Sequence, residues 1–162
     1  MRRPAVITSA VLLLMLATGS DATDEGPQAA SEAMVSHFVE SWNRADGAAY
    51  GENYWRDAEL VDPTGAIVEG KTAIVQEHID LWNGIFKGSR ATGKVRRIQM
   101  LGSDYMMVDF DVQISNIRVL PPGAPAYPDQ TLRNHLKHVL EKRNGAWKVI
   151  SAQNTFIAAL AH

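Results

Sequence analysis

The sequence predicts an α+β domain in which a curved antiparallel sheet wraps around amphipathic helices and leaves a cone with one open end. Three observations predict it. Two segments in the first half of the chain repeat apolar residues at three- and four-residue spacing, the period of a one-sided helix. After Gly88 the apolar period switches to two, the signature of strands. Asn144-Gly145 then sits between two long alternating runs, the strongest short signal for a tight hairpin. Helices gathered on one face of an antiparallel sheet make an α+β domain. A twisted sheet curled over them encloses a hollow suited to a small molecule.

The elements follow in order. A helix is expected from Ser31, with Val35, Phe38, Val39 and Trp42 on its apolar face and Asn43 to Gly47 ending it. A short helix is expected over Ala48 to Trp55. Ala58–Val61 and Ala66–Glu69 read as short strands around the turn Asp62-Pro63-Thr64-Gly65, where proline presets φ and glycine takes the awkward angle. Gly70 introduces a helix over Lys71 to Phe86, with Ile74, Val75, His78, Trp82 and Ile85 on one face and Gly88 as its stop. Strands are expected over Val95–Leu101, Tyr105–Val119, Thr131–Arg143 and Ala146–Ala159. In the second of these, Val108, Phe110, Val112 and Ile114 share one face, and Asp109, Asp111 and Gln113 the other. Pro121-Pro122-Gly123 to Pro128 is a stiff loop.

The start of the chain reads differently. Arg2 and Arg3 precede an apolar run from Ala5 to Ala17, followed by small residues with Ser20 and Ala22 placed for cleavage. That is a secretory signal layout, too short to span a bilayer, which needs roughly 18 apolar residues. A retained anchor is the alternative, and Arg2-Arg3 leaves twin-arginine export open. The domain plan is therefore a signal peptide over 1–22, a disordered linker over 23–30 that is acidic and small and carries Gly26 and Pro27, and one folded domain over 31–162. The expected location is secreted or periplasmic, with no membrane attachment after cleavage. The formal charge of −2 becomes −3 once Arg2, Arg3 and Asp21 are removed. No basic run points to nucleic acid. The sequence has no cysteine, which excludes disulfides, thiol catalysis and zinc–thiolate sites.

The Asn144-Gly145 turn sets a register. Counting outward, Arg143 pairs with Ala146, Glu141 with Lys148, Val139 with Ile150 and His135 with Asn154. On that count His135 and Asn154 lie side by side. Leu136, His138, Leu140, Trp147, Val149 and Ser151 take the opposite face. Both faces hold apolar area, so one is expected to pack on the helices and the other on a second copy of the chain. A bulge in the hairpin would break the count.

The stretches FVESWNRAD (38–46), ELVDPTGAIVEGKTAIVQEHIDLWNGIFKGS (59–89) and VLEKRNGAWKVISAQNT (139–155) resemble the SgcJ/EcaC family of the SnoaL-like, nuclear-transport-factor-2-like superfamily. The resemblance implies the cone-shaped, cystatin-like fold and commonly a dimer. It implies no particular reaction. Its oxidoreductase association finds no dinucleotide fingerprint among the glycines, and no cofactor is expected.

Candidate chemistry is read both ways. His78, a turn from Trp82, is either a proton carrier or a core histidine with its hydrogen bonds satisfied. Asp62 is either a base with a raised pKa or a turn residue accepting backbone N–H groups. His135 and Asn154 either orient a ligand or form a cross-strand pair. Tyr54, Trp55 and Trp82 are expected to bind ligand with them, and Trp42 either lines the pocket or fills core. Asp109 and Asp111 either share acid–base work or face solvent. No metal site is expected, because His135 and His138, three apart on a strand, face opposite sides. Two function classes follow: a binding domain for a small apolar molecule, or a cofactor-free isomerase, cyclase or hydrolase using Asp62 or His78. A dimerising module without turnover is a third.

Overall fold

The computed structural model describes residues 26–159. The signal segment 1–22 and the first linker residues lie outside them. Helix α1 (Pro27–Arg44) begins four residues before the expected start, so Pro27 to Ala30 belong to the helix and not to the linker. The reason is local: proline at the first helical position needs no N–H partner and has the right φ, and Ala29 and Ala30 favour the helix that follows. Ala45 ends α1 in the left-handed conformation. Asp46 caps α2 (Gly47–Gly51), accepting from the Ala49 amide at 3.0 Å.

Helix α2 is shorter than expected, and Tyr54 and Trp55 open strand β1 (Tyr54–Val61). The Val149 amide donates to the Asn53 carbonyl at 2.8 Å and fixes the chain onto the sheet there. Strand β2 is Ile67–Glu69 and helix α3 is Lys71–Asn83, ending at Gly84 rather than Phe86. Strand β3 is Arg90–Met100, starting five residues early because an edge strand shows polar residues and a glycine where a buried one would show apolar alternation. Strand β4 is Tyr105–Ser115; Asn116, at φ 58°, breaks it before Val119. Strands β5 (Leu132–Arg143) and β6 (Ala146–Phe156) form the long hairpin, with Asn144 and Gly145 both at positive φ as a type I′ turn demands.

The six strands run in the order β2-β1-β6-β5-β4-β3, antiparallel throughout except for the parallel pair β1–β6. Helix α1 crosses β3 at Gly93, where an added Cβ would lie 3.0 Å from methyl groups of both Val35 and Val39. The core between helices and sheet gathers Phe38, Trp42, Tyr50, Ile74 and Trp82 against Phe110, Leu136, Leu140 and Val149.

The predicted hairpin count holds as far as Leu140–Val149. A bulge then places Ile150 as an extra residue, so Val139 pairs with Ser151. Beyond it every β6 side chain changes face. Asn154 pairs with Leu136 on the inner face, whereas His135 pairs with Thr155 on the outer. The expected His135–Asn154 pair does not exist. Ser151 faces out, and Trp147 shares the inner face through its pairing with Lys142. The outer face of the hairpin is consequently mixed, with Lys137, Glu141, Arg143 and Lys148 around Val139 and Ile150.

Candidate functional site

A cavity of about 110 Å³ lies between the helices and the inner sheet face. Its walls are mostly apolar: Phe38 and Trp42 from α1, Leu81 from α3, Ile85 and Phe86 beyond it, Val112 and Ile114 from β4, Leu132 and Leu136 from β5, and Phe156 from β6. Six polar residues join them: Asp62 and Thr64 from the β1–β2 turn, Glu77 and His78 from α3, Asn134 from β5 and Asn154 from β6.

Their hydrogen bonds distinguish them. His78 is buried with both ring nitrogens engaged. Nδ1 lies 2.8 Å from the Ile74 carbonyl, which can only accept, so Nδ1 carries the proton. Nε2 therefore accepts from the Tyr50 hydroxyl at 2.7 Å, and the Tyr50 oxygen accepts from Tyr54 at 3.0 Å. Burial holds the imidazole neutral by moving its pKa down to about 4. This is the satisfied core histidine, one side of which lines the cavity. Asp62 is likewise the turn residue: its Oδ1 accepts from the Thr64 amide (2.8 Å), the Thr64 hydroxyl (2.7 Å) and the Ala66 amide (2.9 Å).

Glu77, Asn134 and Asn154 behave differently. Each carries a buried side-chain oxygen without a hydrogen-bond partner among the described residues: Glu77 Oε2, Asn134 Oδ1 and Asn154 Oδ1. Burial pushes the Glu77 carboxyl above its usual range, and the charge of Asp62 pushes it further. Asn134 is only 7% exposed.

Of the residues expected at the site, Asp62, His78 and Asn154 meet at the cavity, Trp42 stands on its wall, and the others lie elsewhere. Tyr54 is buried below it, bonded to Tyr50. Trp82 is core, packed edge-on to Trp42 at 5.7 Å. Trp55 sits at the other end of β1, donating to the Glu141 carbonyl at 2.9 Å beneath the Arg143 guanidinium; next to the buried Tyr54 on a strand, it points to the opposite face. His135 is on the outer face, with Nδ1 2.9 Å from Asp111 and Nε2 3.7 Å from Asp109. Those carboxylates also pair with Arg96 (3.3 Å) and Lys137, so they form an ion-pair cluster and not an acid–base couple.

Sequence reasoning missed Glu77 and Asn134. Both had a signal. Ile74, Glu77, His78 and Leu81 follow one helical stripe, which places an acid among apolar residues. Asn134 interrupts the inward run Leu132, Leu136, Leu140 on a strand. Among the described residues no group of three His, Asp or Glu stands close enough to hold a metal ion, and no helix is long and apolar enough to cross a membrane.

The same path of the chain recurs in solved structures. A cystatin-like domain of unknown function from Nostoc punctiforme superposes with a TM-score of 0.68 at 19% identity, over 83% of this chain and 79% of that one. An NTF-2-like protein of unknown function from Shewanella oneidensis superposes at 0.66, with 17% identity over 80% and 99%. The fold is the nuclear-transport-factor-2-like cone. A hexachlorocyclohexane dehydrochlorinase, LinA type 2, shares this cone at a TM-score of 0.61 and 17% identity, over 83% of this chain and 91% of its own. No protein-family model and no curated protein matches the sequence.

Proposed function

We propose that this chain is an exported domain that binds a small, largely apolar molecule in the cavity of its cone. One observation carries the reading. Three elements, α3, β5 and β6, each bring to one apolar cavity a side chain with a buried, unpartnered oxygen. Leaving such a group without a partner costs about 1–3 kcal/mol. A ligand with donors placed against Glu77, Asn134 and Asn154 offsets that cost, while its body contacts Phe38, Trp42 and Phe156. The signal layout of residues 1–22 supports export, and the quoted motifs support membership of the SgcJ/EcaC group. Val139, Ile150 and Met107, half-buried on the outer face, support pairing with a second copy there. Native mass spectrometry of the secreted protein tests both points: a co-purified small mass and a dimer are expected. A ligand-free protein whose melting temperature no small apolar molecule raises would overturn the binding reading.

A second reading has its own support. The raised pKa of Glu77 suits a proton acceptor beside an apolar substrate, as in a cofactor-free acid–base enzyme. The dehydrochlorinase shows that the cone is used by at least one enzyme. Glu77→Gln, which keeps shape and removes the base, is expected to abolish turnover of any substrate found. Full activity in that variant would leave binding alone.

A further inference from the structure

We infer that the molecule held in the cavity is an apolar amine bound as its ammonium ion; this rests on the binding reading above and names its ligand class. The charges on the cavity wall are of one sign. Asp62 and Glu77 line it, and among the described residues no Lys or Arg does. The unpartnered atoms are of one kind as well: Glu77 Oε2, Asn134 Oδ1 and Asn154 Oδ1 are all oxygens that accept. Two other groups on the wall are already spent. The Thr64 hydroxyl donates to Asp62, and His78 uses Nδ1–H on Ile74 and Nε2 on Tyr50.

An alkylammonium head offers three donors and no acceptor, matching three oxygens with none to spare. Its charge compensates the partly buried Glu77 carboxylate, and hydrogen bonds with ionised partners are about twice as strong as neutral ones. Aromatic walls at Phe38 and Trp42 tolerate a cation better than an aliphatic wall does. A carboxylate ligand would meet Asp62 and Glu77 with no cation on the wall to balance it. A neutral alcohol supplies one donor for three acceptors. The volume of about 110 Å³ limits the enclosed part of the ligand to at most about one small ring, since an apolar cavity of ~150 Å³ holds benzene.

The test is calorimetric titration of the mature chain with benzylamine, benzyl alcohol and benzoate at one salt concentration and neutral pH. Benzylamine is expected to bind at least about tenfold more tightly than benzyl alcohol, with benzoate weakest, since tenfold is one charge-assisted contact of ~1.4 kcal/mol. Glu77→Gln should remove that preference, and a cooperative thermal melt of the variant shows that it is folded. Asn134→Leu should weaken the amine severalfold as a second, independent substitution. Equal affinity for amine and alcohol, or an amine affinity indifferent to Glu77→Gln, overturns the ammonium assignment and leaves the pocket standing. Binding of none of the three overturns the pocket reading together with it.

Discussion

The hydroxyl of Tyr50 donates to Nε2 of His78 at 2.7 Å, and the two rings stack at 4.2 Å between centroids. Because Ile74 fixes the other nitrogen as the donor, the tautomer is settled and the chain Tyr54, Tyr50, His78, Ile74 runs in one direction. Tyr50→Phe deletes one donor and leaves a buried acceptor bare. Its expected cost is about 1–3 kcal/mol in urea unfolding at neutral pH. Tyr54→Phe removes only the outermost donor and should cost about 0.5–1.5 kcal/mol. Equal losses would mean that the order of donors is wrong.

Acid should destabilise the protein through two histidines. His138 is fully enclosed, with neither ring nitrogen partnered among the described residues, and packs edge-on against Phe110 at 4.8 Å. Burial, and then the proximity of His78, moves its pKa down to about 3; burial moves that of His78 to about 4. Unfolded, both take a proton near the ordinary value of 6.5. Between those limits the unfolded chain holds more protons than the folded one, so folding stability falls as pH drops below 6.5 and levels only near 3. Above 6.5 neither histidine exacts a penalty. At ~1.4 kcal/mol per pKa unit the pair is worth several kcal/mol. Urea midpoints at pH 7.5, 5.5 and 4.5 should fall in that order. His138→Leu should flatten the slope and be at least as stable as the parent at pH 7.5, since it replaces two orphaned nitrogens with carbon.

The parts of this architecture legible in the sequence are those set by period and by turn chemistry. Phe38 and Trp42 show their helix face, Val108 to Ile114 show their strand face, and Asn144-Gly145 marks the hairpin because few other pairs accept two positive φ angles. The bulge at Ile150 was not legible. Ile150 is β-branched and fits a regular strand equally well, and the distortion is fixed by how β6 meets both β5 and the parallel β1. That single extra residue decides whether Asn154 belongs to the cavity or to the outer face. Counting apolar residues also hid Glu77 and Asn134, since a polar group inside an apolar stripe reads as noise until its surroundings are known.

Asn134 separates stability from function. Asn134→Leu replaces an amide with an unpartnered oxygen by an apolar group of similar size. Removing the orphan should raise unfolding stability by about 1 kcal/mol. The same change removes an acceptor from the ligand and should weaken binding severalfold. A residue that serves only packing would move both quantities in the same direction. Thermal melts with and without ligand check this: the apo melting temperature should rise and the ligand-induced increment should shrink. Loss of both would return Asn134 to the core.

Gly93 should tolerate no side chain while α1 keeps its present seat. Its ideal Cβ would lie 3.0 Å from Val35 Cγ1 and 3.0 Å from Val39 Cγ2, methyls one helical turn apart. Valine in a helix has essentially one χ1 rotamer, so neither methyl can rotate aside and α1 must lift from β3. That shift reaches Phe38 and Trp42, which stand on the same helix and line the cavity. Gly93→Ala is therefore expected to lower stability by about 1–3 kcal/mol, as overpacking does, even though alanine suits a strand better than glycine. Shortening the facing residues should recover part of the loss. In a double-mutant cycle, Gly93→Ala with Val39→Ala should be less destabilising than the sum of the two single changes, with a coupling of about 0.5–3 kcal/mol. Simple additivity would show that the helix and strand are not held as close as the 3.0 Å contacts require.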